Sequence, residues 1–227
     1  MARMRRRRGQ RGATIVEAAI VLPTLIALMF GMLEMGLYFK DSLTLDEAVK
    51  DGAHIGALYA QDSSADYQMV QKILHASLNG TVQEIIIYDA ANPDPNNPAV
   101  EAPSASCLAS STGVQVGYTD AAGLVHATGA IGSCNVYLAS NGDFTQPLSC
   151  FQGGCGAWTN SQNWPGTIRL QNTTDVRYKT GTNQQAGPGP DLIGVWVKTT
   201  HNWTTGIVET QPSTLTSQAV FRIEPRQ

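Results

Sequence analysis

The sequence predicts an α+β protein with a long N-terminal helix, a second helix and a small antiparallel β-sheet that contains disulfides. Three observations support this. An apolar run after an arginine cluster continues as an amphipathic helical pattern to about residue 60. A second amphipathic stretch covers residues 65–78. Later, short apolar segments alternate with turn residues, as in strands. We expect a basic leader (1–12), a transmembrane and continuing helix (13–60) and an extracytoplasmic head (61–227).

The first forty residues indicate a membrane anchor. Six arginines lie within the first eleven positions, and the segment from Ala18 to Leu33 carries no charge. A spanning helix needs roughly 20 predominantly apolar residues, and the run from Ala13 to Phe39 is long enough. It is too long, and too poorly ended, for a cleaved secretory signal. Because basic flanks stay in the cytoplasm, we expect the N-terminus inside and the head outside.

The charge of the remaining chain argues against nucleic acid as a partner. The protein has 15 Lys and Arg against 18 Asp and Glu. Without the six N-terminal arginines, 9 basic residues face the same 18 acids, a net charge of about −9. Such an acidic surface repels phosphate. The arginine cluster therefore fits a membrane flank better than a nucleic-acid site.

Two glutamates and a proline interrupt the apolar run. A carboxylate within hydrocarbon is a functional candidate by default, and Glu17 lies about one helical turn past Gly12. A cut between Gly12 and Ala13 would place a new amine within reach of Glu17 of the same or a neighbouring chain; alternatively, Glu17 reaches the cytoplasmic headgroups. Glu34 lies about 25 Å further along the helix, near the outer headgroups and on a different face. Pro23 is expected to bend the helix.

The segments RGATIVEAAIVLP (Arg11–Pro23) and GMLEMG (Gly31–Gly36) resemble the TadE-like family over roughly residues 11–53. Members of this family are minor pseudopilins of the tight-adherence (Tad/Flp) pilus system. The resemblance implies a role in pilus assembly, with other pilin-like subunits and inner-membrane assembly proteins as partners. It also implies cleavage after Gly12 by a prepilin peptidase, which would make Glu17 the fifth residue of the mature chain. Ala18 departs from the tyrosine that usually follows this glutamate in processed Flp-type pilins.

From Lys40 to about Ala60 the helix becomes amphipathic. An apolar stripe outside the membrane needs a partner. Two partners remain open at this point: the protein's own head, or the helices of other pilin-like subunits. The segment Asp62–Ser64 is expected to cap the second helix.

Prolines and turn residues divide the head into short elements. Residues 89–113 are expected to form a loop because they contain four prolines, and residues 180–190 are expected to form another. The predicted strands are Val82–Tyr88, Val114–Tyr118, Asn135–Ala139, Thr167–Gln171, Leu192–Thr200 and Gln218–Glu224.

All four cysteines follow the predicted anchor, on the side expected to be oxidising, so disulfides are expected. Four cysteines allow three pairings. We favour Cys107–Cys134, which ties down the proline-rich loop, and Cys150–Cys155, which closes a short loop. A zinc site is the alternative, although no Cys-x-x-Cys pair is present.

No motif for catalysis or cofactor binding stands out, so we expect neither an enzyme nor a cofactor or metal. A second hypothesis is a membrane-anchored surface adhesin whose tryptophans contact glycan. The alternative for these side chains is core packing. The tryptophans are Trp158, Trp164, Trp196 and Trp203. The four histidines belong to no metalloprotease helix motif; they are His54, His75, His126 and His201.

Overall fold

The computed structural model describes residues 10–59, 62–90, 102–115, 118–119, 125–126, 132–155, 164, 192–206, 209 and 211–223, with backbone alone at 10–14, 118–119 and 125–126. The basic leader before residue 10, the predicted strand Thr167–Gln171 and the predicted loop 180–190 lie outside these residues. The helices are α1 (Gln10–Tyr59), α2 (Ala65–Leu74), α3 (Ala105–Leu108) and α4 (Leu148–Phe151). The strands are β1 (Gly80–Asp89), β2 (Gly113–Val114), β3 (Tyr118–Thr119), β4 (Val125–His126), β5 (Cys134–Leu138), β6 (Leu192–His201) and β7 (Ser213–Arg222).

Helix α1 is unbroken over 50 residues, about 75 Å, which confirms the predicted continuous helix. Helix α2 ends at Leu74, four residues before the predicted end. The cause is a turn after His75 that brings Asn79 back to α1, where the Asn79 N–H donates to Asp41 Oδ1 at 3.1 Å. At the other end of α2, Asp62 Oδ1 accepts a hydrogen bond from the Ser64 N–H at 2.8 Å.

The main sheet is antiparallel with the strand order β2-β5-β1-β6-β7, and β3 and β4 form a separate pair. Strands β1, β5, β6 and β7 confirm four of the predicted strands: the first three differ by one or two residues at their ends, whereas β7 begins at Ser213, five residues before the predicted start at Gln218. The single strand predicted over Val114–Tyr118 is wrong, because Val114 pairs with Cys134 whereas Tyr118 pairs with His126 in the other sheet. The loop predicted over 89–113 contains α3, whose first turn is capped by the Ser104 side chain.

The core lies on both faces of the sheet because side chains of a strand alternate between faces. On one face, Ile85 and Ile87 of β1 pack with α1 and α2. On the other face, Ile86 and Tyr88 pack with the Cys107–Cys134 region. The three consecutive isoleucines of β1 are fully buried, as the sequence predicts.

A buried polar cluster fixes α2 on the sheet. Asp66 Oδ2 accepts hydrogen bonds from Asn135 Nδ2 and Tyr137 Oη, both at 2.6 Å. Asn135 also holds Trp164, since its Nδ2 donates to the Trp164 carbonyl and its Oδ1 accepts from the Trp164 N–H. Trp164 is thus a core residue, because both of its backbone polar groups are satisfied inside the protein.

Candidate assembly helix

The lower half of α1, from Ile15 to Leu33, has the properties of a membrane span. Within the described residues, α1 is the one helix that is long and apolar enough to cross a membrane. None of its most apolar stretch is buried by the rest of the protein. The distance from Ile15 to Leu33 is about 27 Å along the axis, close to the thickness of bilayer hydrocarbon. The most exposed apolar side chains are Ile15, Val16, Ile20, Leu22, Leu25, Leu28, Met29, Met32 and Leu33.

The residues predicted for processing lie at the beginning of α1. The helix starts at Gln10, so the Gly12–Ala13 bond falls in its first turn. Glu17 is exposed about 7.5 Å further along and has no hydrogen bond or ion pair with another described residue. Cleavage at Gly12, and a role for Glu17 toward the resulting amine, stay predictions.

Pro23 lies inside α1 without ending it. Its ring nitrogen cannot donate, so the carbonyl four residues earlier loses its helical partner. Hydroxyl side chains often compensate for such losses in membrane helices. Next to this site, Thr24 Oγ1 donates to the Ile20 carbonyl at 3.5 Å. The carbonyl that Pro23 leaves without its helical partner is that of Ala19, so this hydroxyl does not replace the lost bond, yet the apolar segment continues as one helix past the proline.

Glu34 marks the point where the head begins to contact α1. Its side chain is 2% exposed, although the helix below it is bare. Glu34 Oε1 accepts a hydrogen bond from the Thr205 N–H, in the loop between β6 and β7. Glu34 Oε2 is buried and has no hydrogen-bond partner among the described residues. The sequence predicts its height near the outer headgroups but not its burial under this loop.

Above Glu34, a polar and aromatic seam joins α1 to the end of β6. Asp41 Oδ2 and His201 Nδ1 are 2.7 Å apart, and both side chains are almost completely buried. Asp41 Oδ1 is the acceptor for the Asn79 N–H. The Tyr38 ring stacks on Trp203 with 5.7 Å between centroids, and its edge contacts His201. One turn beyond, Ser217 Oγ on β7 donates to Asp46 Oδ1.

The upper half of α1 has a buried face and an exposed face. Leu45, Val49 and Ala53 belong to the main core, so the amphipathic stripe beyond Lys40 packs on the protein's own head. Packing therefore crosses the expected domain boundary at residue 60. On the outward face, Phe39 is 58% exposed and Leu43 is 65% exposed. The protein's own head therefore covers one face of this part of α1. The other face leaves an apolar surface exposed above the level of Glu34.

The cysteines form the two pairs that the sequence favours. Cys107 is joined to Cys134 with a Cα–Cα distance of 6.2 Å, and Cys150 is joined to Cys155 at 4.6 Å. The first disulfide connects α3 to β5 and lies in the core on the sheet face away from α1. The second closes the turn after α4, whose Phe151 packs against Tyr67 and Tyr137. Disulfides replace the zinc alternative, because a bonded cysteine supplies no thiolate ligand.

The described tryptophans make internal contacts. Trp164 is in the core, Trp196 is half-buried against the second cluster, and Trp203 stacks on Tyr38 while its Nε1 donates to Ser213 Oγ at 2.8 Å. Trp158, the fourth member of the suggested glycan platform, lies outside the described residues. The contacts of the three described rings favour packing over a glycan platform.

The histidines show no arrangement that suggests catalysis in the described part of the chain. His54 is exposed beside Phe221, His75 is exposed, and His201 is buried with Asp41. The side chain of His126 is not described. No group of three or more His, Cys, Asp and Glu is placed to hold a metal ion within the described ranges.

Sequence reasoning missed the seam. Its partners, Asn79, His201, Thr205 and Ser217, come from distant parts of the chain and carry no local motif. A signal is nevertheless present on α1, where Glu34, Tyr38, Asp41 and Leu45 recur at helical spacing and so lie on one face. The pattern places these residues on one face, but it does not indicate that this polar face is covered.

Comparison with known proteins locates the similarity on this helix. No curated protein and no solved structure matches the chain. Residues 12–54 match the family model of the TadE-like proteins, and this confirms the resemblance over that segment. The match includes the apolar half of α1, Glu34 and the α1 residues of the seam, but not their partners in the head.

Proposed function

We propose that the protein is a membrane-anchored minor pseudopilin, or a closely related assembly component, of a Tad-type (Flp) pilus. It acts through helix packing with other pilin-like subunits and not through catalysis. The family match over residues 12–54 associates the chain with a Tad pilus system. The observation that carries the finer role is the exposed face of α1 at Phe39 and Leu43, which lies beyond the span and is left uncovered by the described head.

This face is suited to a neighbouring helix. Residues Met32, Met35, Phe39 and Leu43 follow one another at three- and four-residue intervals, so they form one ridge, the outer ridge. Large apolar side chains that protrude beyond a membrane span usually mark an interaction site. The opposite face of the same helix is occupied by the sheet. A partner can therefore dock on the outer ridge without disturbing the head.

The proposed orientation places the head outside the cytoplasm. Arginines before the span favour an N-terminus on the cytoplasmic side. The two disulfides of the head fit an oxidising compartment on the other side. Both arguments are independent and give the same topology. Protease protection of spheroplasts tests it, with digestion of the head from outside as the expected result.

The assembly role is tested by gene deletion and complementation in the native host. Wild-type protein should restore surface pili counted by electron microscopy. The variant Phe39→Glu/Leu43→Glu should reach the membrane at normal abundance but restore few pili, because two charges on the outer ridge oppose helix packing. Leu108→Glu is the matched control, since Leu108 on α3 is also an exposed apolar residue, at 45%. Normal piliation of the deletion strain would contradict the proposal.

Processing is tested separately through the N-terminal residue of the mature protein. Cleavage after Gly12 predicts Ala13 as the first residue, detected by mass spectrometry of the protein from membranes. Gly12→Leu should then retain the arginine leader, while the nearby substitution Gly9→Leu should not. An intact leader on the wild-type protein would contradict processing but leave a permanent membrane role in place.

A further inference from the structure

An apolar pocket lies where α1 leaves the proposed span. Its volume is about 440 Å³, and it is formed by Phe30, Met32, Leu33, Glu34, Gly36 and Leu37 of α1 together with Thr204 and Thr205. Pockets of this size hold small molecules, and their walls are typically apolar with a few polar groups. The loop between β6 and β7 covers the pocket on the head side. The bare, apolar surface of α1 continues from it toward the lipid.

Glu34 is the charged residue of this pocket. Glu34 Oε1 accepts a hydrogen bond from the Thr205 N–H, whereas Oε2 has no hydrogen-bond partner in the described protein. A buried carboxylate oxygen without a partner costs free energy, so a ligand that supplies a hydrogen-bond donor binds more favourably here than one that does not. A cationic donor is better still, because charge-assisted hydrogen bonds are roughly twice as strong as neutral ones. The pocket therefore combines apolar walls with a carboxylate oxygen that lacks a hydrogen-bond donor among the described residues.

We infer that this pocket binds one phospholipid with a primary ammonium headgroup, the ammonium donating to Glu34 Oε2 and an acyl chain lying on Phe30, Leu33 and Leu37. The inference rests on the membrane anchoring proposed above. Phospholipid is the molecule that surrounds this height of the helix, and a primary ammonium supplies three donors. A choline headgroup carries the same charge without an N–H donor. Oε2 is covered by its surroundings, so the ammonium reaches it after a flexible lining side chain moves.

The experiment uses the full-length protein in nanodiscs that contain equal amounts of phosphatidylethanolamine and phosphatidylcholine with identical acyl chains. The protein is transferred to mild detergent, and retained lipid is counted by native mass spectrometry. The wild type should retain phosphatidylethanolamine over phosphatidylcholine by about tenfold, the effect of one charge-assisted hydrogen bond. Glu34→Gln keeps an acceptor for Thr205 but loses the charge, and its enrichment should fall close to one.

Two glycines provide a matched pair for the apolar part of the pocket. A Cβ added at Gly31 or at Gly36 meets no atom within 4 Å, but Gly36 alone of the two lines the pocket. Gly36→Leu should therefore lower retention of both lipids, whereas Gly31→Leu should leave retention unchanged. Tryptophan fluorescence, sensitive to the stacking of Trp203 on Tyr38, verifies that the head is folded in each variant.

Equal retention of the two lipids by the wild type, or an enrichment that survives Glu34→Gln, would overturn the inference. Dimer formation by Leu37→Cys in the same nanodiscs, without phosphatidylethanolamine enrichment, would instead show a neighbouring helix in the pocket and would overturn it as well. If the protein is absent from membranes, both the anchoring and the inference fail. If pili depend on the outer ridge but the two lipids are retained equally, the inference alone fails.

Discussion

The two halves of α1 are one continuous helix in two different surroundings. From Ile15 to Met29 the described protein leaves the side chains bare, whereas from Glu34 to Ala57 one face is covered by β6, β7 and α2. The glycines show the difference directly. A Cβ at Gly31 would touch nothing within 4 Å, while at Gly52 it would lie 3.0 Å from Ile73.

Along α1 the chemical composition of the side chains changes with the surroundings, whereas the helical backbone stays the same. The bare half uses large apolar side chains on all sides, as expected of a helix in lipid. The packed half uses small residues at the sheet, such as Ala53 and Ala57, and acids at its start. Glu34 lies at the transition. The helix therefore reaches the head without a flexible linker.

The largest expected effect comes from the seam. Asp41→Ala leaves His201 buried without its partner and also removes the acceptor for Asn79. A buried hydrogen-bonding group that loses its partner costs about 1–3 kcal/mol, and two groups lose theirs here, so urea unfolding in detergent, followed by tryptophan fluorescence, should show a loss of about 2–5 kcal/mol. Asp51→Ala is the control, because Asp51 of α1 forms an exposed ion pair with Lys72 of α2, and such a pair is worth about 0–1 kcal/mol. Similar losses for both variants would contradict a special role for the seam.

A second, smaller effect compares the glycines of the two halves. A Cβ at Gly56 would collide with Met69 Sδ and lie 3.0 Å from Ile193 Cδ1, both of which belong to buried core residues. Gly56→Leu should therefore destabilise the head by about 1–3 kcal/mol through overpacking. Gly31→Leu makes the same change in the bare half, where an added Cβ meets no atom within 4 Å, and should leave the unfolding free energy of the head unchanged. Equal effects in the same urea experiment would mean that the two halves do not differ in packing.

The smallest effect concerns the sheet away from α1. Burial raises the pKa of Glu84 above its usual value near 4.5, and Lys198, opposite it on β6, partly offsets this. The folded state therefore holds the proton more strongly than the unfolded state. The contribution of Glu84 to stability is therefore largest below the unfolded pKa, and it falls as the pH rises through the window from about 4.5 to the raised folded-state pKa.

Glu84→Gln should flatten this part of the stability curve, with a change below about 1 kcal/mol. Urea unfolding between pH 4 and pH 7 measures the effect. Glu47→Gln, a change on the exposed face of α1, should retain the wild-type slope. A retained slope in Glu84→Gln would assign the pH dependence to another group.

Local patterns predicted much of the fold. The helical period predicted the end of α1 to within one residue. The run of isoleucines predicted the position of β1, because a strand that is buried on both faces is apolar on both sides. The disulfide pairs followed from loop lengths and from the compartment. The prediction of one strand from Val114 to Tyr118 failed, because both ends have strand-forming residues but pair in different sheets.

The contacts that bury Glu34 and Asp41 could not be predicted in the same way. Their partners Thr205 and His201 are more than 150 residues away, and the pairing depends on β6 running antiparallel to β1 at the foot of the head. Helical spacing indicates that Glu34, Tyr38 and Asp41 share one face of α1. It does not indicate which loop covers it, because loop position follows from strand order.

The unbroken backbone of α1 has a mechanical consequence. A rod of 50 residues, about 75 Å long, acts as a lever whose lower arm lies in the bilayer and whose upper arm is bonded into the sheet. A tilt of about 20°, ordinary for a spanning helix, displaces the top of α1 sideways by roughly 25 Å. In the proposed membrane setting, bilayer thickness and packing with neighbouring helices would therefore move the head over a distance comparable to its own size. Pro23, which lacks one backbone hydrogen bond, is where that lever bends most easily.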